Sequence, residues 1–81
     1  MSAITELQDD IRGRLNRTAL SPREIQVLQG VAAGLTNKEI AVELGTSFWS
    51  VKTQRDRALH KLKSTTSAGA VAIAMRKGWL T

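Results

Sequence analysis

Residues 36–62 read TNKEIAVELGTSFWSVKTQRDRALHKL, and this stretch decides the fold. It predicts a short helix, a tight turn and a longer basic helix. Ala41, Gly45 and Val51 stand at the spacing that a helix-turn-helix needs. Ala41 is small where two helices must cross closely. Gly45 takes positive φ at the turn without a Cβ penalty. Val51 follows on the second helix, placed to plug the angle between the two. That helix also carries Lys52, Arg55, Arg57, Lys61 and Lys63. A basic helix in this setting fits the major groove of DNA.

The charge distribution points the same way. The 81 residues carry a formal net charge of +5. Residues 1–17 hold three acids and three arginines, which cancel. Residues 18–51 hold two bases and three acids. Residues 52–63 hold five bases and one acid, and Arg76 and Lys77 follow near the C-terminus. The positive excess therefore gathers on one predicted helix. A basic helix also suits a membrane surface. Here, however, its apolar members are Ala58, Leu59 and Leu62, enough to pack a core and little more.

Several classes are set aside by composition. The length suits one small domain, or one domain plus an arm. No apolar run is long enough to span a bilayer. The N-terminal residues include acids and lack the basic-then-apolar pattern of a secretory signal. With no cysteine and one histidine, neither a disulfide nor a metal centre is expected. No nucleophile arrangement, acid–base pair or phosphate loop is present, so no enzyme is expected. The expected location is the cytoplasm, on the nucleoid when DNA is bound.

Working outward, the rest of the chain also reads as helix. Ile4, Leu7, Ile11 and Leu15 form one apolar stripe, which predicts a helix over 3–16. Residues 1–17 are thus expected to be an amphipathic arm, and 18–81 the domain proper. Ser21-Pro22-Arg23-Glu24 is a strong helix start, with Ser21 as cap, Pro22 at the first position and Glu24 completing a capping box. Ile25, Leu28, Val31 and Ala32 are expected to form the buried face. Gly34 is the expected stop, and Leu35 is placed to fold back. Thr36 and Glu39 repeat the box, with Ile40, Ala41 and Leu44 pointing inward. Ser47 caps the next helix, which runs to about Leu62 with Val51, Ala58, Leu59 and Leu62 inward. A polar break at Thr65, Thr66 and Ser67 precedes a small-residue helix over Ala68–Lys77. Gly78 stops it, and Trp79-Leu80 is placed as an apolar clasp. No strand pattern occurs.

The run LSPREIQVLQGVAAGLTNKEIAVELG, then SVK, KL and AVAIAMRKGWL, resembles the DNA-binding domain of LuxR-type regulators, also called the GerE or NarL type. The resemblance covers about three quarters of the chain. It implies an all-α, four-helix domain, here with an additional N-terminal helix. The third helix would read the major groove and the fourth would make the dimer contact. No catalysis and no cofactor are implied. Seventeen preceding residues are too few for a receiver or ligand-binding domain, so a stand-alone regulator is expected. Four departures stand out. Gln54 replaces a frequent His, and Arg55 replaces a frequent aliphatic residue. Lys63-Ser64 replaces Gly-Val, and Ser67 and Gly69 replace Arg and Glu.

The resemblance and the helical spacing together nominate site residues. Trp49, Lys52, Thr53 and Asp56 share one face and are the expected base contacts. Lys52 can donate to guanine, Thr53 can meet a thymine methyl, and Asp56 can accept from cytosine. Near phosphates, though, an acid more often excludes wrong bases, or pairs with Lys52 or His60. Thr36, Asn37, Lys38, Ser47, Arg55 and Arg57 are the expected phosphate contacts. Phe48 is expected to pack on the domain or on the N-terminal helix. Ala68, Ala72, Ile73 and Arg76 are the expected dimer residues. The expected partners are double-stranded DNA and a second copy of the chain through the C-terminal helix. RNA polymerase or another regulator is a further possible partner, and a membrane is not. Two other readings remain. One is a sigma region-4 module, which SVKTQRDRALHKLK also resembles but which ends without the last helix. The other is a protein-binding antagonist.

Overall fold

The computed structural model describes residues 20–80. They form four helices: α1 (Pro22–Ala32), α2 (Asn37–Leu44), α3 (Phe48–Lys61) and α4 (Ser67–Arg76). Among the described residues there is no strand. The helix predicted over 3–16 and the arm 1–17 lie outside the described residues. No described helix is long and apolar enough to cross a membrane.

Local chemistry sets each helix start. Ser21 Oγ accepts from Glu24 N at 3.1 Å, and Glu24 Oε1 accepts from Ser21 N at 2.8 Å. Thr36 and Glu39 make the same reciprocal pair at 3.1 and 2.9 Å. Each box satisfies backbone N–H groups that a helix start would otherwise leave open. Ser47 caps α3 through Ser50 N at 3.0 Å. Helix α4 begins at Ser67, one residue before the expected Ala68, and Thr66 caps it through Gly69 N at 3.0 Å. Without a Glu at that position, α4 has no capping box.

The ends of α2 and α3 close in the same way. Gly45 sits at φ 65°, and Thr46 N reaches back to Ala41 O at 2.9 Å. After α3, Ser64 N reaches Leu59 O at 2.9 Å, but the left-handed residue is Lys63, at φ 54°. A side chain there costs about 1–2 kcal/mol that glycine avoids.

Helix α1 packs against α3 and α4, and α2 packs against α3. Two apolar clusters hold this arrangement. Val27, Ile40, Ala41 and Val51 lock α1, α2 and α3 at the turn. Leu20, Leu28, Ala58, Leu62, Ala70, Ala74 and Leu80 join α1, α3 and α4. Val51 is wholly buried, and burying a side chain of this kind contributes about 1.5–3 kcal/mol. Gly30 lets α2 approach, since a Cβ there would lie 2.6 Å from Ile40 Cγ1. Trp79-Leu80 does fold back: Trp79 N bonds Ala74 O at 2.9 Å and Leu80 is buried. Lys77 Nζ stands 5.2 Å from the Trp79 ring centre.

Three expectations need correction. Ala32 is exposed, and the α1 face turns instead through Glu24, Val27 and Leu28. Phe48 belongs to neither core cluster and is 43% exposed, and the N-terminal helix, its other expected cover, lies outside the described residues. Lys61 does not belong to the outward basic set. Its Nζ donates to Glu24 Oε1 at 2.9 Å, and Glu24 itself is only 2% exposed.

Candidate nucleic-acid interface

The burial of one side of α3 defines what its other side can do. Val51, Ala58 and Leu62 are buried on α1, α2 and α4. That anchoring leaves Trp49, Lys52, Thr53 and Asp56 exposed together on the outer face. Trp49 is 70% exposed and meets Phe48 edge to face, with ring centres 5.4 Å apart. Lys52 Nζ and Asp56 Oδ2 lie 3.3 Å apart one helical turn apart. Lys52, rather than His60, is therefore the helical partner of Asp56. Both side chains are more than half exposed, so the pair contributes only about 0.3–0.5 kcal/mol. It is weak enough to open when a stronger partner arrives.

The start of α2 forms the corner beside this face. Both polar groups of Thr36 are occupied by Glu39. The N–H and hydroxyl of Thr36 hold the exposed Glu39 carboxyl below its ordinary value. Helix geometry then leaves the N–H groups of Asn37 and Lys38 open, and the Lys38 side chain is exposed. Ser47 is likewise engaged, accepting from Ser50 N and donating to Ser50 Oγ at 3.0 Å. With no capping box, the N–H groups open at the start of α3 are those of Ser47, Phe48 and Trp49.

Arg55 and Arg57 do not play equivalent parts. Arg57 is exposed. Arg55 is half-buried and ties three helices: Nη1 donates to Asn37 Oδ1 and Nε to Ser67 Oγ, each at 2.6 Å. The nomination of Arg55 as a free phosphate contact thus misses an internal clamp. The signal for it was readable. Arg55 lies four residues after Val51 and three before Ala58, on the edge of the buried stripe. The Glu24–Lys61 pair carried no such signal, because its members are 37 residues apart.

On α4, Ala70 and Ala74 are buried, whereas Ala68, Ala72 and Arg76 are exposed and Ile73 is half-buried. Met75, 48% exposed, joins Ala68 and Ala72 on the outer side. Among the described residues no group of acidic or histidine side chains could hold a metal ion.

Four helices, a glycine turn and an outward basic helix define a helix-turn-helix domain. The family model described as "Bacterial regulatory proteins, luxR family" (GerE) matches residues 18–74, and the chain belongs to that family. It is similar to transcriptional regulatory protein YdfI of Bacillus subtilis, with 37% identity over 82 residues, covering 100% of this chain and 38% of that protein. It is also similar to FixJ of Bradyrhizobium diazoefficiens, 39% over 71 residues, and FixJ of Rhizobium meliloti, 41% over 71 residues. Each FixJ match covers 88% of this chain and 34% of the relative. The chain thus spans little more than a third of the length of these relatives, and they give no support to the stand-alone expectation.

Proposed function

We propose that this chain binds duplex DNA sequence-specifically and regulates transcription, with α3 in the major groove. The observation that carries this reading is the anchored α3, which projects Trp49, Lys52, Thr53 and Asp56 from one exposed face. Lys52 is the guanine donor, and Thr53 and Trp49 meet thymine methyls or sugars. Asp56 tests for cytosine and is held away from phosphates by Lys52. The Asn37–Lys38 corner, the start of α3 behind Ser47, and Arg57 take phosphates. Thr36 and Arg55 act mainly by holding that corner in place.

The chain acts as a homodimer through α4. Ala68, Ala72 and Met75 recur on one face at steps of four and three, which lets a second α4 approach closely. Ile73 and Arg76 flank that face. A two-fold pair reads two half-sites about one DNA turn apart. Relatives named as transcriptional regulatory proteins support the regulatory reading. Selection from random duplex DNA tests it. A two-fold symmetric consensus is expected. So is binding that falls with salt at a slope of about −0.9 per phosphate neutralised. No enrichment, with a flat salt dependence, would favour a protein target such as RNA polymerase or another regulator.

A further inference from the structure

The two flanks of the recognition helix differ where they meet its N-terminal half. On the α2 side, Arg55 is bound to Asn37 and Ser67. On the α1 side, a cleft of about 110 Å³ opens between the start of α1 and the helix-turn-helix turn. Arg23, Thr46, Ser50 and Gln54 line it above a floor of Val27 and Val51. That floor is wholly buried, so the cleft has a fixed base. Its lining among the described residues includes no carboxylate. The acid nearest in sequence, Glu24, is turned inward and neutralised by Lys61.

We propose that this cleft seats one backbone phosphate of the bound DNA, with Arg23 as its principal ligand. The inference rests on the DNA-binding reading above. The strand concerned is the one opposite that approached by the Asn37–Lys38 corner, because the cleft and that corner lie on opposite flanks of α3. Each lining group has chemistry to offer an anion. The Arg23 guanidinium presents paired N–H donors that match two phosphate oxygens. Ser50 Oγ accepts from Ser47 Oγ, which leaves its own hydrogen to donate. The Thr46 hydroxyl and the Gln54 amide add neutral donors. Arg57, three residues beyond Gln54 and exposed, continues the positive track along the same flank. The Ser21-Pro22 start fixes the backbone under Arg23, so the side chain is delivered from a rigid position.

The test pairs a protein change with a change at one phosphate. A short duplex selected by the wild-type protein is prepared with single methylphosphonates, each removing one backbone charge. Arg23→Ala, Arg23→Lys and Lys38→Ala are measured beside wild type. Arg23→Ala should lose about tenfold in affinity, as expected for a charged hydrogen bond, and its salt slope should be shallower by about 0.9. Within each half-site, one methylphosphonate that weakens wild type should have no effect on Arg23→Ala, and it should lie on the strand opposite the phosphate to which Lys38→Ala is insensitive. Arg23→Lys should recover the slope but only part of the affinity, since it lacks the fork. Equal sensitivity of wild type and Arg23→Ala at every position overturns the proposal. So does a coupled phosphate on the same strand as the Lys38-coupled one within a half-site. Should wild type select no duplex, the DNA-binding reading itself fails, before any variant is made.

Discussion

Replacing Lys61 with methionine removes one charge and keeps the apolar stem, and the structure says what should follow. Glu24 Oε1 receives Lys61 Nζ at 2.9 Å and Ser21 N at 2.8 Å, in a side chain only 3% exposed. After the change, a buried carboxylate keeps a single amide. Breaking a fully buried pair costs about 3–5 kcal/mol, and losing one charged hydrogen bond costs about 1.5–3 kcal/mol. Lys61 is 29% exposed, so water screens part of the loss. The lower range applies, and we expect about 2 kcal/mol at neutral pH. For a domain of this size that is a fall in melting temperature of about 8–16 °C.

The pH dependence separates this cause from lost packing. Burial pushes the Glu24 carboxyl up, but the Lys61 hydrogen bond and charge, with the bonds to Ser21, outweigh it. The folded carboxyl therefore titrates below its ordinary value of 4.5. Between the two values the unfolded chain binds the extra proton. The stabilisation is thus complete above 4.5 and lost as pH falls through the folded value. In Lys61→Met, burial is opposed by Ser21 alone, and the carboxyl titrates higher. Urea unfolding followed by circular dichroism should show a gap between wild type and variant at pH 7 that narrows below pH 4. Glu24→Gln should recover part of the loss in the variant, since an amide oxygen still accepts from Ser21 N. A gap that is the same at both pH values would refute the electrostatic account.

Other outcomes follow from the same geometry. Lys52→Ala should weaken operator binding by about 1–3 kcal/mol, with a smaller effect on non-specific DNA, in titrations at fixed salt. Asp56→Asn should do the reverse on non-specific DNA, raising affinity and steepening the salt slope, because Lys52 loses its partner and the phosphates lose a repelling charge. Lys63→Gly should stabilise the domain by about 0.5–1 kcal/mol in urea unfolding, by relieving the left-handed side chain. Ala72→Glu should leave the helical circular dichroism intact and lower operator affinity. Sedimentation on a two-half-site duplex should then give one chain per duplex where wild type gives two.

The parts of the fold legible in the sequence were those set by neighbours in sequence. Both capping boxes and the Gly45 turn depend on groups a few residues apart, and all stand where the spacing puts them. The buried face of α1 was misread for a specific reason. Glu24, Val27, Leu28 and Val31 keep strict helical spacing, but the first of them is an acid. Its neutralising lysine comes from another helix, so the face read as if turned toward Ala32. Phe48 misled in the other direction. Its apolar character called for a covering surface, yet it is the first residue of α3 and joins neither core cluster. At the candidate interface, the outward set followed directly once Val51 and Ala58 were placed inward. The cleft at Arg23 did not, because it exists only where α1 meets the turn.

Arg55 shows how a departure from the family pattern can be absorbed. An aliphatic side chain at that position would add to the core; arginine instead reaches past it to two helix starts. One of these, at α4, has Thr66 as cap and no reciprocal carboxylate. The 2.6 Å bond from Arg55 to Ser67 gives that start a second anchor. The other bond fixes Asn37, where α2 presents its open N–H groups. A single guanidinium therefore spans the proposed phosphate corner and the first residue of the proposed dimer helix, and it does so from the helix between them. Charge-assisted bonds of this kind are directional and about twice as strong as neutral ones. They hold the spacing between those elements more tightly than the apolar contacts that they replace, which constrain distance but not angle. The half-burial of Arg55 follows from this arrangement, because a side chain committed at both ends of its fork cannot swing out into solvent without releasing both starts at once.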